Sequence, residues 1–285
     1  MSLNNKFSIV LCLKNKTHND NTNNIERFAS IGMLTYNKFL DHDSVAEFII
    51  VCPKDEQDLV ESKIIKQFPD WPWKVYNDTH LLHPQVQASW ARQQTVKLTV
   101  SQLVKTEHYL LIDDDTFMTK TFKYTDLFAE DRKLRFNKAQ IDFPFFFLWS
   151  NQLLDYDFDR VQDAEYVMGI TPEIFHTATV RNLVKYLVDR YGPQKFWQLK
   201  LQNNKFTEYG LYWIYLLKND LVHQLYTKTD APLYNHCITD NSQNLDIGIA
   251  KAFDDTSSHF FSFVQSSLKY PISKIQSLLK NTAKL

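Results

Sequence analysis

Three consecutive aspartates, Asp113, Asp114 and Asp115, follow directly on the apolar run Tyr109 to Ile112. Aspartate is a poor strand former, and adjacent carboxylates repel one another at neutral pH. Such a cluster persists either as a solvated acidic turn or where a cation offsets it. Along an extended segment alternate residues share a face, so Asp113 and Asp115 are expected to point together and Asp114 away. Two converging carboxylates form a hard-oxygen site suited to Mg2+ or Mn2+. These ions take one or two carboxylates and complete their shells with water and phosphate oxygens. In open α/β sheets ligands collect beyond the C-terminal strand ends, and that is where these aspartates are expected.

The segment before the strand adds a second polar group. Trp90, Gln93, Gln94 and Lys97 recur at helical spacing and share one stripe, with Arg92 nearby. Val96, Val100, Leu103 and Val104 form a neighbouring apolar stripe that can pack on a sheet. The polar stripe reads either as a solvated face or as a wall facing a phosphate-bearing ligand. Further along, Glu208 opens an expected helix, where a carboxylate also serves as a favourable charge at the positive dipole end. Asp157 and Asp163 are weaker acidic candidates and read as solvated.

These groups need a scaffold, and the hydrophobic pattern supplies one. Lys6 to Lys14, Glu47 to Pro53, "WKVYND" and "YLLID" read as strands, short β-branched or aliphatic runs with polar flanks. Helical patterns separate them: "IERFASIGMLTYNKFL", "DEQDLVESKIIKQF" and a segment from about Pro84 to Val104. This alternation predicts an α/β fold, with a mostly parallel sheet covered by helices. Beyond the aspartates, Glu165 to Phe175 reads as strand and turn. "TATVRNLVKYLVDRYG" and "TEYGLYWIYLLKN" read as helices, "LYNHCITD" as a loop, and the C-terminal stretch as helix broken near Pro271. "FPFFFLW" (Phe143 to Trp149) reads as core or as an aromatic platform for a sugar ring.

In this order the residues resemble the region around the DxD motif of GT-A glycosyltransferases. Glycosyltransferase family 8, the glycogenin-like enzymes, has the same order of Lys-Leu helix, Tyr-containing strand and "DxDT". The longer pattern is more similar to a group of bacterial proteins regarded as glycosyltransferases, whose domain has no assigned function. That group shows "W-x-R-Q-Q-x-x-K", matched by Trp90, Arg92, Gln93, Gln94 and Lys97. It also shows "TP", matched by Thr171 and Pro172, and "TEY-x-LY", matched by Thr207, Glu208, Tyr209, Leu211 and Tyr212. "IERF", Ile25 to Phe28, fits as well.

The resemblance implies one GT-A domain, a mixed, mostly parallel sheet flanked by helices, over residues 1–250. Residues 1–117 would form the nucleotide-sugar half and 118–250 the acceptor half, with 251–285 a C-terminal helical extension. It implies a UDP- or GDP-sugar donor, a glycan or lipid-linked acceptor, and Mn2+ or Mg2+ held by Asp113 and Asp115. Asp115 would take part in catalysis. Lys97, Arg92, Gln93, Gln94 and Asp114 would contact the donor. His236 is the best placed third ligand by order, although the usual His-x-x-Gly-x-x-Lys-Pro-Trp context is absent. Glu208 would be the general base of an inverting enzyme or orient the acceptor in a retaining one.

Other classes fit less well. A haloacid-dehalogenase phosphatase wants Thr or Val two residues beyond its second Asp, and Phe117 stands there. A nucleotidyltransferase wants a glycine-rich phosphate loop, yet residues 6–30 contain no glycine. A non-catalytic binder of sugar nucleotides or glycans on the same scaffold remains the alternative. The formal net charge of −1 gives no global basic field for nucleic acid. Cys12, Cys52 and Cys237 are odd in number and widely spaced, which points to a reducing compartment and a cytoplasmic protein. No apolar run approaches the roughly 20 residues of a membrane span. The C-terminal helix, with Phe260, Phe261, Val264, Leu268, Ile272 and Ile275, is expected to pack on the body rather than on a membrane.

Overall fold

Strands β1 (Phe7–Cys12), β2 (Val45–Cys52), β3 (Trp73–Asn77) and β4 (His108–Ile112) form where β-branched and aromatic residues run together. They pair in parallel, and every residue of β1 and β4 is buried. Parallel strands covered on both faces need such continuous apolar runs rather than alternation. The structure is a computed structural model that describes residues 3, 5–15, 23–86, 90–138, 144–157, 168–169, 171–192, 196–202, 206–228, 232–240, 244–254, 259–268 and 270–284. After β5 (Thr116–Met118), strand β6 (Glu173–His176) joins the first sheet antiparallel to β4. The sheet order is β3-β2-β1-β4-β6. A second sheet, ordered β5-β8-β7, contains β7 (Tyr234–Ile238) and β8 (Phe261–Val264).

The crossover from β1 to β2 runs through α1 (Asn24–Arg27), a π-helical turn (Phe28–Gly32) and α2 (Met33–Phe39). Asn23 caps this segment by accepting from the Glu26 amide at 2.9 Å. A Cβ on Gly32 would meet the Phe28 ring at 2.6 Å and the Thr116 carbonyl oxygen at 3.4 Å. Glycine is therefore what makes room for the Phe28 ring within this turn. Short helices α3 (Gln57–Val60) and α4 (Asp78–Leu81) flank β3, and α5 (Trp90–Thr99) precedes β4. Helices α6 (Pro144–Leu154), α7 (Thr177–Tyr191), α8 (Phe196–Gln202), α9 (Glu208–Lys218) and α10 (Val222–Leu225) cover the β6 side. Helices α11 (Leu245–Asp254) and α12 (Ile272–Ala283) close the second sheet.

Several local expectations need correction. Of the helix expected from Pro84 to Val104, residues 84–86 are not helical, 87–89 lie outside the described residues, Trp90–Thr99 is helix and Val100–Gln102 a 3-10 turn. Of the strand and turn expected over Glu165 to Phe175, residues 165–167 and 170 lie outside the described residues, Met168 makes an isolated bridge to Lys138, and a strand runs over Glu173–His176. "LYNHCITD", expected as a loop, supplies β7. Within the expected C-terminal helix, Phe261–Val264 forms β8, and helix resumes at Ile272. Its aromatic and β-branched residues favour a strand once β5 and β7 offer edges on both sides. Phe143 lies outside the described residues, as do the side chains of 144–148, so the reading of "FPFFFLW" as platform or core falls there; Trp149 is half-buried.

The main core contains β1, β2 and β4 with Phe28, Tyr36 and Phe48. A second cluster joins Ile31 and Phe117 to Ile238, Ile249, Val264, Ile275 and Leu279. Helix α12 thus buries its apolar positions against α11 and the Phe28–Gly32 turn. Each such buried Ile or Leu contributes about 1.5–3 kcal/mol. Among the described residues no helix is long and apolar enough to cross a membrane.

Candidate active site

Lys97 is where the expected site residues converge. Its Nζ lies 2.8 Å from Asp113 Oδ1 and 2.8 Å from Glu208 Oε1. The lysine side chain is 2% exposed and that of Glu208 is 0% exposed. Helix α5 delivers Lys97, β4 delivers Asp113, and the first turn of α9 delivers Glu208. Thr207, not Glu208, caps α9, accepting from the Gly210 amide at 2.9 Å. Glu208 is thereby left to point inward. Gln94 Oε1 accepts from the Glu208 amide at 3.4 Å, and Tyr209 presents its ring 5.3 Å from Lys97 Nζ.

The three aspartates do not continue the strand. The Thr116 amide and hydroxyl both donate to the Asp113 carbonyl, at 3.3 and 2.8 Å, and close a turn. Alternation of faces, expected for an extended segment, therefore does not describe them. Each carboxylate meets a different partner. Asp113 faces Lys97. Asp114 Oδ2 lies 4.0 Å from Arg27 Nε, and neither atom makes a hydrogen bond. Asp115 Oδ2 accepts from the Ser266 amide at 3.1 Å, just beyond β8. Tyr36 supports the turn from below through Thr116 Oγ1 at 2.9 Å.

Charge at the site is unbalanced. Asp113, Asp114, Asp115 and Glu208 face two cations, Lys97 and Arg27, so full ionisation leaves a formal charge of two minus. The carboxyl groups respond accordingly. Burial, then Asp115 and Asp113, hold Asp114 well above the ordinary carboxylate range against the pull of Arg27. Burial and Asp113 push Asp115 up to about 6, opposed by the Ser266 amide. Burial also raises Glu208, while Lys97 draws it back. Burial alone would lower Lys97, but two contacting carboxylates outweigh it and hold the ammonium charged. A hard-oxygen cluster with this deficit and an unpartnered Asp114 Oδ2 fits Mg2+ or Mn2+.

The remaining expected residues are placed as follows. Arg92 is committed to Asp78, with Nη2 and Nε at 2.8 and 3.0 Å from Oδ2, and to the Val86 carbonyl at 2.9 Å. Gln93 is half-buried on α5. His236 belongs to β7, in the same sheet as β5, and its side chain lies outside the described residues. Asp157 is exposed, and Asp163 lies outside the described residues. Cys12 and Cys52, at the ends of β1 and β2, are buried free thiols. Burial pushes Cys52 up to about 12 and Cys12 higher, which makes both inert as nucleophiles.

Sequence reading missed Arg27, Asp78 and the Ser266 amide. A charged residue on the apolar face of "IERF", between Ile25 and Phe28, was the available signal for Arg27. Asp78 carried only a first-turn acidic signal, and a backbone donor carries none.

With the geometry in hand, the fold can be compared with solved structures. It is similar to apo mouse xyloside xylosyltransferase 1, with a TM-score of 0.51 and 10% identity, covering 93% of this chain and 100% of that one. It also resembles the galactosyltransferase LgtC in complex with donor and acceptor sugar analogues, at a TM-score of 0.48 and 8% identity, covering 96% of each chain. At 10% identity the likeness to the xylosyltransferase is one of fold, and that fold is of GT-A type, a mixed, mostly parallel sheet flanked by helices. No curated protein matches the chain. The model of a family of unknown function, DUF6492, matches residues 4–284, and the chain belongs to that family.

Proposed function

We propose that this protein is a metal-dependent glycosyltransferase that moves a sugar from a nucleoside-diphosphate sugar to a hydroxyl acceptor. The observation that carries this reading is the part-buried carboxylate cluster, two positive charges short, at the C-terminal end of β4. A xylosyltransferase on the same fold supports the reaction class. Asp113 and Asp115 are the hard-oxygen ligands, with His236 on β7 as the third. Bound there, Mn2+ or Mg2+ supplies Lewis-acid stabilisation of the diphosphate leaving group.

The chain's own groups then divide the remaining work. Lys97, held charged by its two carboxylates, donates to a phosphate or sugar oxygen of the donor. Gln93 and Gln94 line the same helix face. Arg92 acts through Asp78, fixing the end of β3 beside the donor. Asp114, braced by Arg27, receives a ribose or sugar hydroxyl. Glu208 is wholly buried against Lys97 and orients that lysine. In an inverting enzyme it becomes the base only after that ion pair opens. Residues 1–117 form the donor half and 118–250 the acceptor half, while the segment from 251 returns Ser266 to Asp115. The donor is a UDP- or GDP-sugar and the acceptor a glycan or lipid-linked hydroxyl.

Calorimetry with UDP and GDP, with and without Mn2+, tests this. Nucleotide binding should require the metal, vanish in Asp113→Ala and Asp115→Ala, and weaken in Asp114→Ala. Unchanged binding in both outer variants sinks the assignment. Slow hydrolysis of a UDP- or GDP-sugar without acceptor separates an enzyme from a binding protein.

A further inference from the structure

We propose that Glu107, His108 and His176 form a second metal site, for a zinc-class ion, at the edge of the central sheet opposite Asp113. Each of the three offers a ligand atom, and these atoms lie within 4.8 Å of one another. The two histidines are direct cross-strand partners in the antiparallel β4–β6 register, with ring centroids 5.6 Å apart. Such pairing holds two imidazoles on one face by backbone geometry alone.

The surroundings prepare these rings for a ligand role. His176 Nδ1 lies 2.7 Å from Thr179 Oγ1, which fixes the ring and leaves Nε2 for a metal. His108 is 5% exposed, and its Nδ1 is buried without a hydrogen-bond partner. The nitrogen beside Glu107 is the other one, Nε2, and that atom is the ligand position. Glu107 anchors its backbone through the Thr177 amide at 2.9 Å, yet keeps its side chain 69% exposed. Its carboxylate is 4.0 Å from His108 Nε2, so a side-chain rotation brings it to the rings.

The chemistry differs from that of the aspartate cluster. Two imidazoles and one carboxylate form a three-ligand set that suits zinc and leaves a fourth position for water. Imidazole ligands favour zinc over magnesium or calcium. The site is also distant from the other. His108 begins β4 and Asp113 follows its end, and five extended residues span about 16 Å. The ion would clip the edge strand β6 to β4, a role separate from any donor chemistry.

The test uses the full chain, without a histidine tag and stripped of metal, titrated with Zn2+ alone by calorimetry. Co2+ absorption then reads the coordination geometry. In the Asp113→Ala/Asp115→Ala background, which removes the aspartate site, we expect one equivalent bound, lost on adding His176→Ala and weakened at least about tenfold on adding Glu107→Gln. Glu107 is exposed, so its substitution keeps the test decisive even where His176→Ala does not fold. Absence of Zn2+ binding overturns the proposal. So does binding that is unchanged in Glu107→Gln, or lost in the double aspartate variant.

Discussion

Replacing Lys97 by Met removes the one cation that, among the described residues, touches Glu208, and keeps nearly the same stem. Glu208, at 0% exposure, then has neither a counter-ion nor water. Breaking a buried pair by deleting one partner costs about 3–5 kcal/mol, because the remaining charge stays desolvated. For a chain of this size 1 kcal/mol shifts the melting temperature by about 2–4 °C, so a fall of about 6–20 °C is expected. Glu208→Gln alone should cost less, since Lys97 still holds Asp113, which is 26% exposed. The double substitution should therefore be more stable than the sum of the two single losses predicts, by about 1–3 kcal/mol. Urea unfolding followed by circular dichroism, with chelator present, measures all four corners of the cycle. The pH dependence adds a signed check. Burial raises the Glu208 carboxyl, so the folded variant binds a proton more readily than the unfolded chain. The Lys97→Met deficit should shrink as pH falls through the raised Glu208 value towards the ordinary carboxylate range. Additivity within about 0.5 kcal/mol, or a single-variant cost below about 1 kcal/mol, refutes the ion-pair account.

The other predictions are briefer. Glu173 is wholly buried, and burial holds its carboxyl well above the usual range despite the Asn137 and Gly169 amides. Its contribution is therefore fully present below the unfolded pKa and lost as pH rises through the folded one. Glu173→Gln should flatten a stability slope of up to about 1.4 kcal/mol per pH unit in that window, as urea unfolding across pH will show. Gly32→Ala should cost about 1–3 kcal/mol, because its Cβ would drive the Phe28 ring aside. Thermal unfolding checks this, and a neutral result would mean that Phe28 yields freely.

Much of the first half was legible because local and global preferences agree there. Continuous, mostly apolar runs at Phe7–Cys12, Val45–Cys52 and His108–Ile112 become the parallel strands they resemble, and of the polar stripe Lys97 meets Asp113 while Gln94 meets the Glu208 amide. The second half was less legible. β7 and β8 are short; β7 pairs with β8 and β8 lies between β5 and β7, pairings that no local window contains. Periodicity also placed the aspartates on an extended chain, whereas two donors from Thr116 fold them into a turn. The partners of Asp114 and Asp115 lie at Arg27 and Ser266, far away in the chain, and a backbone amide has no residue type to read.

The bond from the Ser266 amide to Asp115 spans 151 residues of sequence. Synthesis is vectorial, at about 5–20 residues per second, so this donor follows its carboxylate by about 8–30 s. During that interval the parallel strands β1 to β4 are already complete, whereas β5 lacks its neighbour and Asp115 its amide. The nascent chain thus passes through a state with a formed sheet and an unfinished acidic cluster. The last strand to emerge acts as a timer on when that cluster is assembled.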